Sequence, residues 1–267
     1  MRIALRVEYD GSRYHGWQSQ PGLYTVQEVL EQALAQVADA PIKITCAGRT
    51  DTGVHATAQI IHFDCDNQRS MRAWTYGVNS SLPKDVCVQW AKEVPDEFHA
   101  RYSALSRRYR YVIFNSPIRP GLLRSNVTWQ YRQLDDRNMH AASQNLLGEN
   151  DFTSFRSVEC QSATPMRHIM QIGVKRLGNL IIIDVTANAF LHHMVRNIAG
   201  VLIAVGSGKK PKEWVADVLA AKDRRLGAET APPYGLYLVQ VAYPAEFYIE
   251  QSNPGPLFLA EYDNVSS

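Results

Sequence analysis

The sequence predicts an α+β protein built from two ferredoxin-like βαββαβ halves. The predicted elements run strand, helix, strand, strand, helix, strand, and the same order then returns without a detectable sequence repeat. Joining the two sheets edge to edge would cover two exposed edges. We therefore expect one extended, mostly antiparallel sheet with helices on one face and a broad open face opposite.

Residues 1–105 form the predicted N-terminal half. Met1 to Tyr9 alternate apolar and polar or small side chains, which is typical of a strand and not of a signal peptide. Thr25 and Glu28 have the spacing of a capping box, and apolar residues follow them at helical spacing. The other predicted elements are strands at 41–47, 57–64 and 86–94 and a helix at 70–80.

Residues 106–267 form the predicted C-terminal half, which includes an inserted basic helix and a C-terminal tail. Its predicted strands are 107–115, 168–177, 180–187 and 236–243, and its predicted helices are 136–147, 190–206 and 212–221. Gly148 follows the first of these helices as its stop. In the tail, we expect residues 256–259 to pack against the protein.

Composition excludes some classes of protein but does not identify the function. The chain has 267 residues and a net charge of +2, so a nucleic-acid partner must be inferred from where the basic residues cluster. Its four cysteines lack C-x-x-C spacing, which predicts reduced thiols in a cytosolic protein. No apolar run reaches the roughly 18 residues of a membrane span.

The segment from Cys46 to Ala56 concentrates groups that can do chemistry. Gly48 and Gly53 flank Arg49, Asp51 and two threonines, between two predicted strands. Glycine permits positive φ angles and close backbone approach, so such a loop can present a carboxylate to a ligand. Asp and Gly are also ordinary turn residues, and the local sequence alone favours a simple turn.

Residues 106–111 form the densest basic and aromatic cluster. In a strand, Arg107, Tyr109 and Tyr111 share one face, and Arg108 and Arg110 share the other. Tyrosine stacking on bases together with arginine at phosphates is typical of RNA binding. Core tyrosines beside solvated arginines explain the pattern equally well.

Two further segments leave two interpretations open. The loop at 10–21 is rich in aromatic and amide groups, so it is either a surface loop anchored by Trp17 or a ribbon that contacts nucleotides. The basic residues around the helix 212–221 are either a solvated face or sequence-independent phosphate contacts. These residues are Lys209, Lys210, Lys212, Lys222, Arg224 and Arg225.

The segment 190–197 contains His192 and His193, but adjacent histidines on a helix diverge by roughly 100° and the i, i+4 spacing of a helical zinc site is absent. No metal is therefore expected. One apolar stripe is predicted from Phe190, Met194, Ile198, Val201 and Val205. Arg196 projects away from it and is free to face water or to reach the loop around Asp51.

The string from Gly48 to His55 resembles the Gly-Arg-Thr-Asp-Ala-Gly-Val-His motif of the tRNA pseudouridine synthase A family, with Thr52 in place of the usual Ala. Similar segments extend from residue 3 to about residue 259. They include Tyr14 to Gln18, His99 to Arg101, Gly148 to Phe152, Phe190 to Asn197 and Gly235 to Leu238.

The resemblance implies the pseudouridine synthase fold with an RNA cleft on its open face, and a cofactor-free isomerase that converts uridine to pseudouridine at positions 38, 39 and 40 of the tRNA anticodon stem-loop. It implies that Asp51 is the essential carboxylate, that Arg196 pairs with it and that Tyr109 sits over a flipped-out target base. It also implies a homodimer.

Further substrate-binding roles are predicted. Arg49 would fill the space that the flipped base vacates or hold its phosphate, and Leu236 would line the pocket. The remaining predicted substrate-binding residues are Arg101, Arg107, Arg108 and Arg110.

Two other classes compete. One is a non-catalytic RNA-binding protein of two ferredoxin-like modules, with Asp51 as a turn residue. The other is a metal-dependent nuclease using Asp51, Asp64 and Asp66, disfavoured because the latter two lie a full strand from Asp51. Dinucleotide, Walker A and zinc-deaminase motifs are absent from the sequence, which disfavours redox, ATP-driven and zinc-hydrolytic chemistry.

Overall fold

A computed structural model describes residues 1–250 and 255–259. The chain divides into two compact units, unit 1 with Met1–Leu105 and Tyr237–Ser267, and unit 2 with Ser106–Leu236. The strands are β1 (Arg2–Tyr9), β2 (Thr45–Cys46), β3 (His55–Asp64), β4 (Val86–Val94), β5 (Ser106–Asn115), β6 (Thr128–Gln130), β7 (Gly148–Asp151), β8 (Met166–Leu177), β9 (Leu180–Ala187) and β10 (Leu236–Ala242). The helices are α1 (Val26–Ala38), α2 (Val78–Ser81), α3 (Asp136–Ser143), α4 (Met194–Gly206) and α5 (Trp214–Ala221). The α+β class is confirmed.

Unit 1 is a sheet backed by helices that pack on each other. Its strand order is β4-β1-β3-β10, with β2 on β3. β1 runs antiparallel to β3 and β4, whereas β10 runs parallel to β3 and pairs Tyr237 with His55. Helix α1 contacts α2 and the π-helical turn Ala73–Gly77 that precedes it. Nearly all of β3 is buried, so the strand that follows the Asp51 loop lies in the core.

Several boundaries in unit 1 differ from the prediction. The strand expected at 41–47 is reduced to β2, and the backbone amide of Ile44, just before it, donates to the Glu31 carboxylate of α1 over 3.2 Å. The helix expected at 70–80 is present but includes the π-helical turn. Thr25 does precede α1, yet its side chain makes no capping bond, so the predicted capping box is wrong.

Unit 2 repeats the arrangement of a sheet with helices on one side. Its strand order is β5-β9-β8-β7, all antiparallel, with β6 parallel to β5. Helices α3 and α4 contact each other, α3 also contacts β8 and α4 also contacts β5, which places both helices on the same face. Core side chains of β5 and β9 include Tyr111, Ile113 and Ile183.

Two predicted helices in unit 2 are shorter than expected. α4 begins at Met194 rather than 190, because His193 at its N-cap has a left-handed φ of 63° that a continuous helix excludes. Phe190 is therefore outside the predicted apolar stripe, whereas Met194, Ile198, Val201 and Val205 are all buried. α3 ends at Ser143 and continues as a 3₁₀ turn, and Gly148 opens strand β7, which the sequence did not predict.

The last strand groups with unit 1, although the predicted C-terminal half ran from 106 to 267. The Tyr243 hydroxyl donates to the Ala100 carbonyl oxygen over 2.6 Å, and the Leu105 amide donates to the Ala242 carbonyl oxygen over 2.8 Å. In the tail, Leu259 is fully buried and the Phe258 ring lies 6.2 Å from that of Tyr237. These contacts tie the C-terminal strand and the described part of the tail to the first half of the chain.

All four cysteines are free, as predicted. Cys46 and Cys65 are buried, and Cys87 and Cys160 are partly buried. Among the described residues, no helix has both the length and the apolar character that crossing a membrane requires.

Candidate active site

Asp51 lies in a short loop held at both ends by strand hydrogen bonds. Before the loop, β2 pairs with β3 and the Ala47 amide donates to the Ile60 carbonyl oxygen over 2.8 Å. After it, Gly53 adopts a φ of +79° and the Val54 amide donates to the Asp51 carbonyl oxygen over 3.1 Å. The Asp51 side chain is partly exposed. The loop is therefore fixed in its backbone and presents its carboxylate from a defined place.

The segment 11–17 supports this loop from behind. The Trp17 amide donates to the Thr50 carbonyl oxygen over 3.0 Å, and the Gly53 amide donates to the Tyr14 carbonyl oxygen over 3.3 Å. The side chains of Tyr14 and Trp17 are only 1% and 2% exposed. These two rings belong to the core, so of the two interpretations of the loop at 10–21 the structure favours the Trp anchor over stacking of these rings on nucleotides.

Buried side chains also hold the loop. The Gln59 amide nitrogen donates to the Gly48 carbonyl oxygen over 2.6 Å, and its amide oxygen accepts from the Gly48 amide over 3.3 Å. The hydroxyls of Tyr9 and Thr50 are 2.8 Å apart. Neither Gln59 nor Tyr9 was predicted from the sequence as a site residue. The available signal was a glutamine inside a strand whose neighbours are apolar, since a buried amide requires partners.

His55, the last residue of the motif, connects the loop to neighbouring strands. Its Nδ1 accepts from the Gly11 amide over 3.0 Å and lies 3.1 Å from an Asp10 carboxylate oxygen. Its ring stacks on Tyr237 of β10 at 4.7 Å. Burial raises the pKa of Asp10, but the adjacent His55 ring and hydrogen bonds from Ser12 outweigh it and leave the pKa well below its usual range. Asp10 is thus held ionised beneath the loop.

Two of the predicted substrate-binding arginines share one region of unit 1. Arg49 and Arg101 are both exposed, and both act electrostatically on the Cys46 thiol, whose pKa burial raises to about 12. The Arg101 guanidinium lies 5.5 Å from the ring centroid of Tyr102, which is 76% exposed and stacks on His99 at 4.3 Å. An exposed tyrosine beside an arginine is suited to a nucleotide base and its phosphate.

Tyr109 lies on β5 of unit 2. Its ring meets that of Phe190 edge to face, with centroids 4.9 Å apart, and only 7% of it is exposed. Tyr111, two residues on, is fully buried and its hydroxyl donates to the Pro232 carbonyl oxygen over 2.8 Å. Leu236 is 5% exposed. Tyr109 and Phe190 therefore form an edge-to-face aromatic pair. Phe190 lies before the first residue of α4.

Arg196 is held at the start of α4. Its Nε donates to the Ala231 carbonyl oxygen over 2.9 Å, while its own carbonyl oxygen accepts from the Ala231 amide over 3.2 Å. The side chain is partly exposed. Since Nε is engaged by Ala231, the position of the guanidinium is set by a backbone group of its own unit.

The alternating face assignment of β5 holds, but the role of its basic face differs from the prediction. Arg108 binds both oxygens of Asp184 at 2.7 Å, and Arg110 binds the same carboxylate at 2.9 Å. Arg110 is fully buried, so it is a core ion-pair residue and not a phosphate ligand. Arg107, 9% exposed, donates to the Asn188 carbonyl oxygen over 3.1 Å.

Four of the six basic residues around α5 have partners within unit 2. Lys210 lies 5.0 Å from the Trp214 ring centroid, and Lys222 pairs with Asp151 at 3.6 Å. Arg224 donates to the Asn197 amide oxygen over 3.0 Å, and Arg225 pairs with Asp223 at 2.7 Å. Phosphate binding by these residues stays a prediction.

Comparison with known proteins decides the family. A family model described as tRNA pseudouridine synthase matches residues 5–103 and 142–244, which include the Asp51 loop and α4. The chain belongs to this family. Its fold is accordingly the pseudouridine synthase fold, and it is an isomerase that converts uridine in tRNA to pseudouridine.

Curated relatives agree over nearly the whole length. The chain is 73% identical to tRNA pseudouridine synthase A of Legionella pneumophila (strain Lens), over 98% of this chain and 100% of that protein. It is 57% identical to the protein of the same name from Cronobacter sakazakii, over 98% and 97%. A third, from Vibrio vulnificus (strain YJ016), is 56% identical over 98% and 99%. The resemblance that the motifs carry is confirmed.

Proposed function

We propose that Asp51 is the catalytic carboxylate of this tRNA pseudouridine synthase. The reaction breaks the bond between N1 and the sugar C1′, turns the uracil and joins C5 to the same carbon, with one proton leaving C5 and one arriving at N1. No atom and no electron is gained. A single carboxylate that acts as nucleophile or base to initiate cleavage suits such a reaction.

The observation that carries the proposal is the fixed backbone around Asp51. Hydrogen bonds from Trp17, Gly53 and Val54 hold its loop, while the carboxylate stays partly exposed. A side chain on a loop mounted between strands is placed more reproducibly than one on a free loop. A simple turn does not need this degree of support.

The other roles follow from the resemblance. Arg196 keeps the Asp51 carboxylate ionised and oriented, and Tyr109 stacks on the flipped uracil and assists the proton transfer at C5. Arg49 offsets the cost of flipping, a few kcal/mol, by filling the vacated space or holding the phosphate. Leu236 lines the pocket, and Arg101 with Tyr102 contacts the RNA beside Arg49.

The proposed substrate sites are positions 38, 39 and 40 of the anticodon stem-loop, and the proposed working form is a cytoplasmic homodimer. The high identity to proteins named tRNA pseudouridine synthase A supports this choice of sites. Sedimentation of the purified protein at micromolar concentration tests the dimer. A single species of the monomer mass would contradict it.

The deciding experiment is carbodiimide mapping of pseudouridine in tRNA treated with the wild type, Asp51→Asn and Asp66→Asn. We expect modification at the three positions by the wild type and Asp66→Asn, and a rate lower by at least roughly 10²–10⁴-fold for Asp51→Asn. Asp66 is an exposed aspartate and serves as the matched control.

The other outcomes are distinct. Tight binding without conversion by any of the proteins would indicate the RNA-binding module. Cleavage of the RNA by the wild type, abolished by Asp66→Asn, would indicate the nuclease. The nuclease is opposed by Asp64, whose carboxylate is bound by Arg2 at 2.8 Å and 2.9 Å.

A further inference from the structure

The buried amide of Gln59 acts as a substitute strand neighbour for the first glycine of the motif. Gln59 is fully buried in β3, and its side chain both donates to and accepts from the backbone of Gly48. Paired bonds of this kind are what an adjacent antiparallel strand residue provides. β2 ends at Cys46 and Ala47 still bonds to Ile60, so the Gln59 side chain continues the pairing one residue further into the loop.

A second fixed point lies next to Asp51. The Tyr9 hydroxyl, at the end of β1, is 2.8 Å from the Thr50 hydroxyl and 3.5 Å from the Gln59 amide nitrogen. The side-chain nitrogen of Gln59 can only donate, so the Tyr9 hydroxyl accepts from it and also shares a hydrogen bond with the Thr50 hydroxyl. Tyr9 is 2% and Thr50 7% exposed, so water competes little for these groups.

We propose that Gln59 and Tyr9 are positioning residues for the isomerisation. Together they fix residues 48–50 and so set the direction in which the Asp51 carboxylate points. The inference rests on the catalytic role proposed for Asp51. Neither residue is given a contact with substrate, and both act through the loop backbone and Thr50.

The expected effect is on the chemical step rather than on binding. A displacement of about 1 Å in a reacting group can cost roughly a hundredfold in rate. The loop can shift only partly, because Trp17 and Val54 still hold it. We therefore expect losses of roughly ten- to a hundredfold in the single-turnover rate of pseudouridine formation, with the dissociation constant for tRNA within about twofold of the wild type.

The test uses Tyr9→Phe and Gln59→Leu in the full-length protein. Single-turnover rates with enzyme in excess, tRNA dissociation constants and thermal midpoints are measured for each. The matched control is Tyr243→Phe, which removes a buried tyrosine hydroxyl bond to the Ala100 carbonyl oxygen in the same unit. We expect Tyr243→Phe to lower the thermal midpoint as much as Tyr9→Phe does and to leave the single-turnover rate within about twofold.

Thr50 provides the rescue. Thr50→Ser keeps the hydroxyl and should keep the rate, whereas Thr50→Val removes it and should match Tyr9→Phe. Combining Tyr9→Phe with Thr50→Val should add little further loss, because both changes remove the same hydrogen bond. Independent, multiplicative losses would overturn the proposed path from Tyr9 through Thr50.

The two proposals fail in different ways. If Asp51→Asn stays active, the catalytic assignment is wrong and this inference falls with it. If Asp51→Asn is inactive while Tyr9→Phe and Gln59→Leu react at the wild-type rate, only the positioning role is overturned. The same holds if their loss of rate equals that of Tyr243→Phe.

Discussion

The carbonyl oxygen of Thr50 lies 2.9 Å from the position that a Cβ atom would occupy on Gly16. Gly16 also has a φ of +87°, a conformation that residues with a side chain rarely adopt. The approach lets the Trp17 amide reach the Thr50 carbonyl oxygen. The position of the loop around Asp51 therefore depends on Gly16, which lies 35 residues before Asp51 in the chain.

Gly16→Ala should lower both stability and activity. The left-handed backbone costs about 1–2 kcal/mol with a side chain, and the contact with the Thr50 carbonyl oxygen forces the loop to shift as well. Gly22→Ala is the control, because Gly22 has a φ of +75° and, apart from its chain neighbours, none of the described residues comes within 4 Å of its Cβ position. Urea unfolding and single-turnover rates are compared. Equal rates for the two variants would contradict a role for the close approach.

Asp184→Asn should destabilise unit 2 strongly. It removes the negative charge that Arg108 and the fully buried Arg110 share, and removing one partner of a buried ion pair costs about 3–5 kcal/mol. Asp64→Asn is the control, since Asp64 pairs with Arg2 at an exposed position and such pairs contribute about 1 kcal/mol or less. Denaturant unfolding measures both. Similar losses would show that Arg110 is better solvated than its burial indicates.

Stability should fall as the pH is lowered toward about 4. Burial, followed by the neighbouring His99 and Arg2, lowers the pKa of His62 to about 4. The unfolded state has a histidine pKa of about 6.5 and so binds more protons between these two values, which favours unfolding as the pH falls through this window. The stabilisation is complete above about pH 6.5. Urea unfolding at about pH 7 and about pH 5 should show a smaller pH dependence in His62→Gln than in the wild type.

The histidine prediction has its own control. His15 is exposed, and His15→Gln is the matched control substitution. Burial also lowers the pKa of His99, so His62→Gln should reduce the dependence without abolishing it. An unchanged dependence in His62→Gln would contradict the assignment.

Thr25→Val should not cost the roughly 1 kcal/mol that a capping side chain contributes. The Thr25 hydroxyl is buried and has no hydrogen-bond partner among the described residues, so removing it relieves a desolvated polar group. Asp135→Ala is the comparison, because the Asp135 carboxylate accepts from the Asn138 amide over 2.9 Å at the start of α3. Unfolding free energies should drop for Asp135→Ala alone. A comparable drop in unfolding free energy for Thr25→Val would show that the Thr25 side chain does cap α1.

The sequence predicted most elements because local patterns matched them. β1, β3, β4, β5, β8, β9 and β10 lie where apolar periodicity placed them, and the segment with the strongest motif does lie between two strands. Local patterns failed where a long-range contact intervened. Neighbouring residues do not predict the hydrogen bond from the Ile44 amide to Glu31. Nor do they predict the left-handed backbone conformation of His193.

In the candidate site, too, local sequence predicted some features and long-range contacts decided others. Asp51 was singled out because its motif is continuous in sequence. The ion pairs of Arg108 and Arg110 with Asp184 were not predicted, because Asp184 is distant in sequence and one basic strand face fits both RNA and a carboxylate. Gln59 and Tyr9 were missed since their role depends on which residues of β1 and β3 face the loop.

The return of β10 to the first part of the chain has a consequence for synthesis. Unit 2 is the contiguous segment 106–236, so all of it is synthesised before β10 is complete. Unit 1 still needs Tyr237, which pairs with His55 in the parallel ladder. Domains generally fold as units while the chain grows. Unit 1, which carries the Asp51 loop, is therefore completed last, after unit 2 has had time to fold. A nascent chain stopped before residue 237 should lack the strand that pairs with His55.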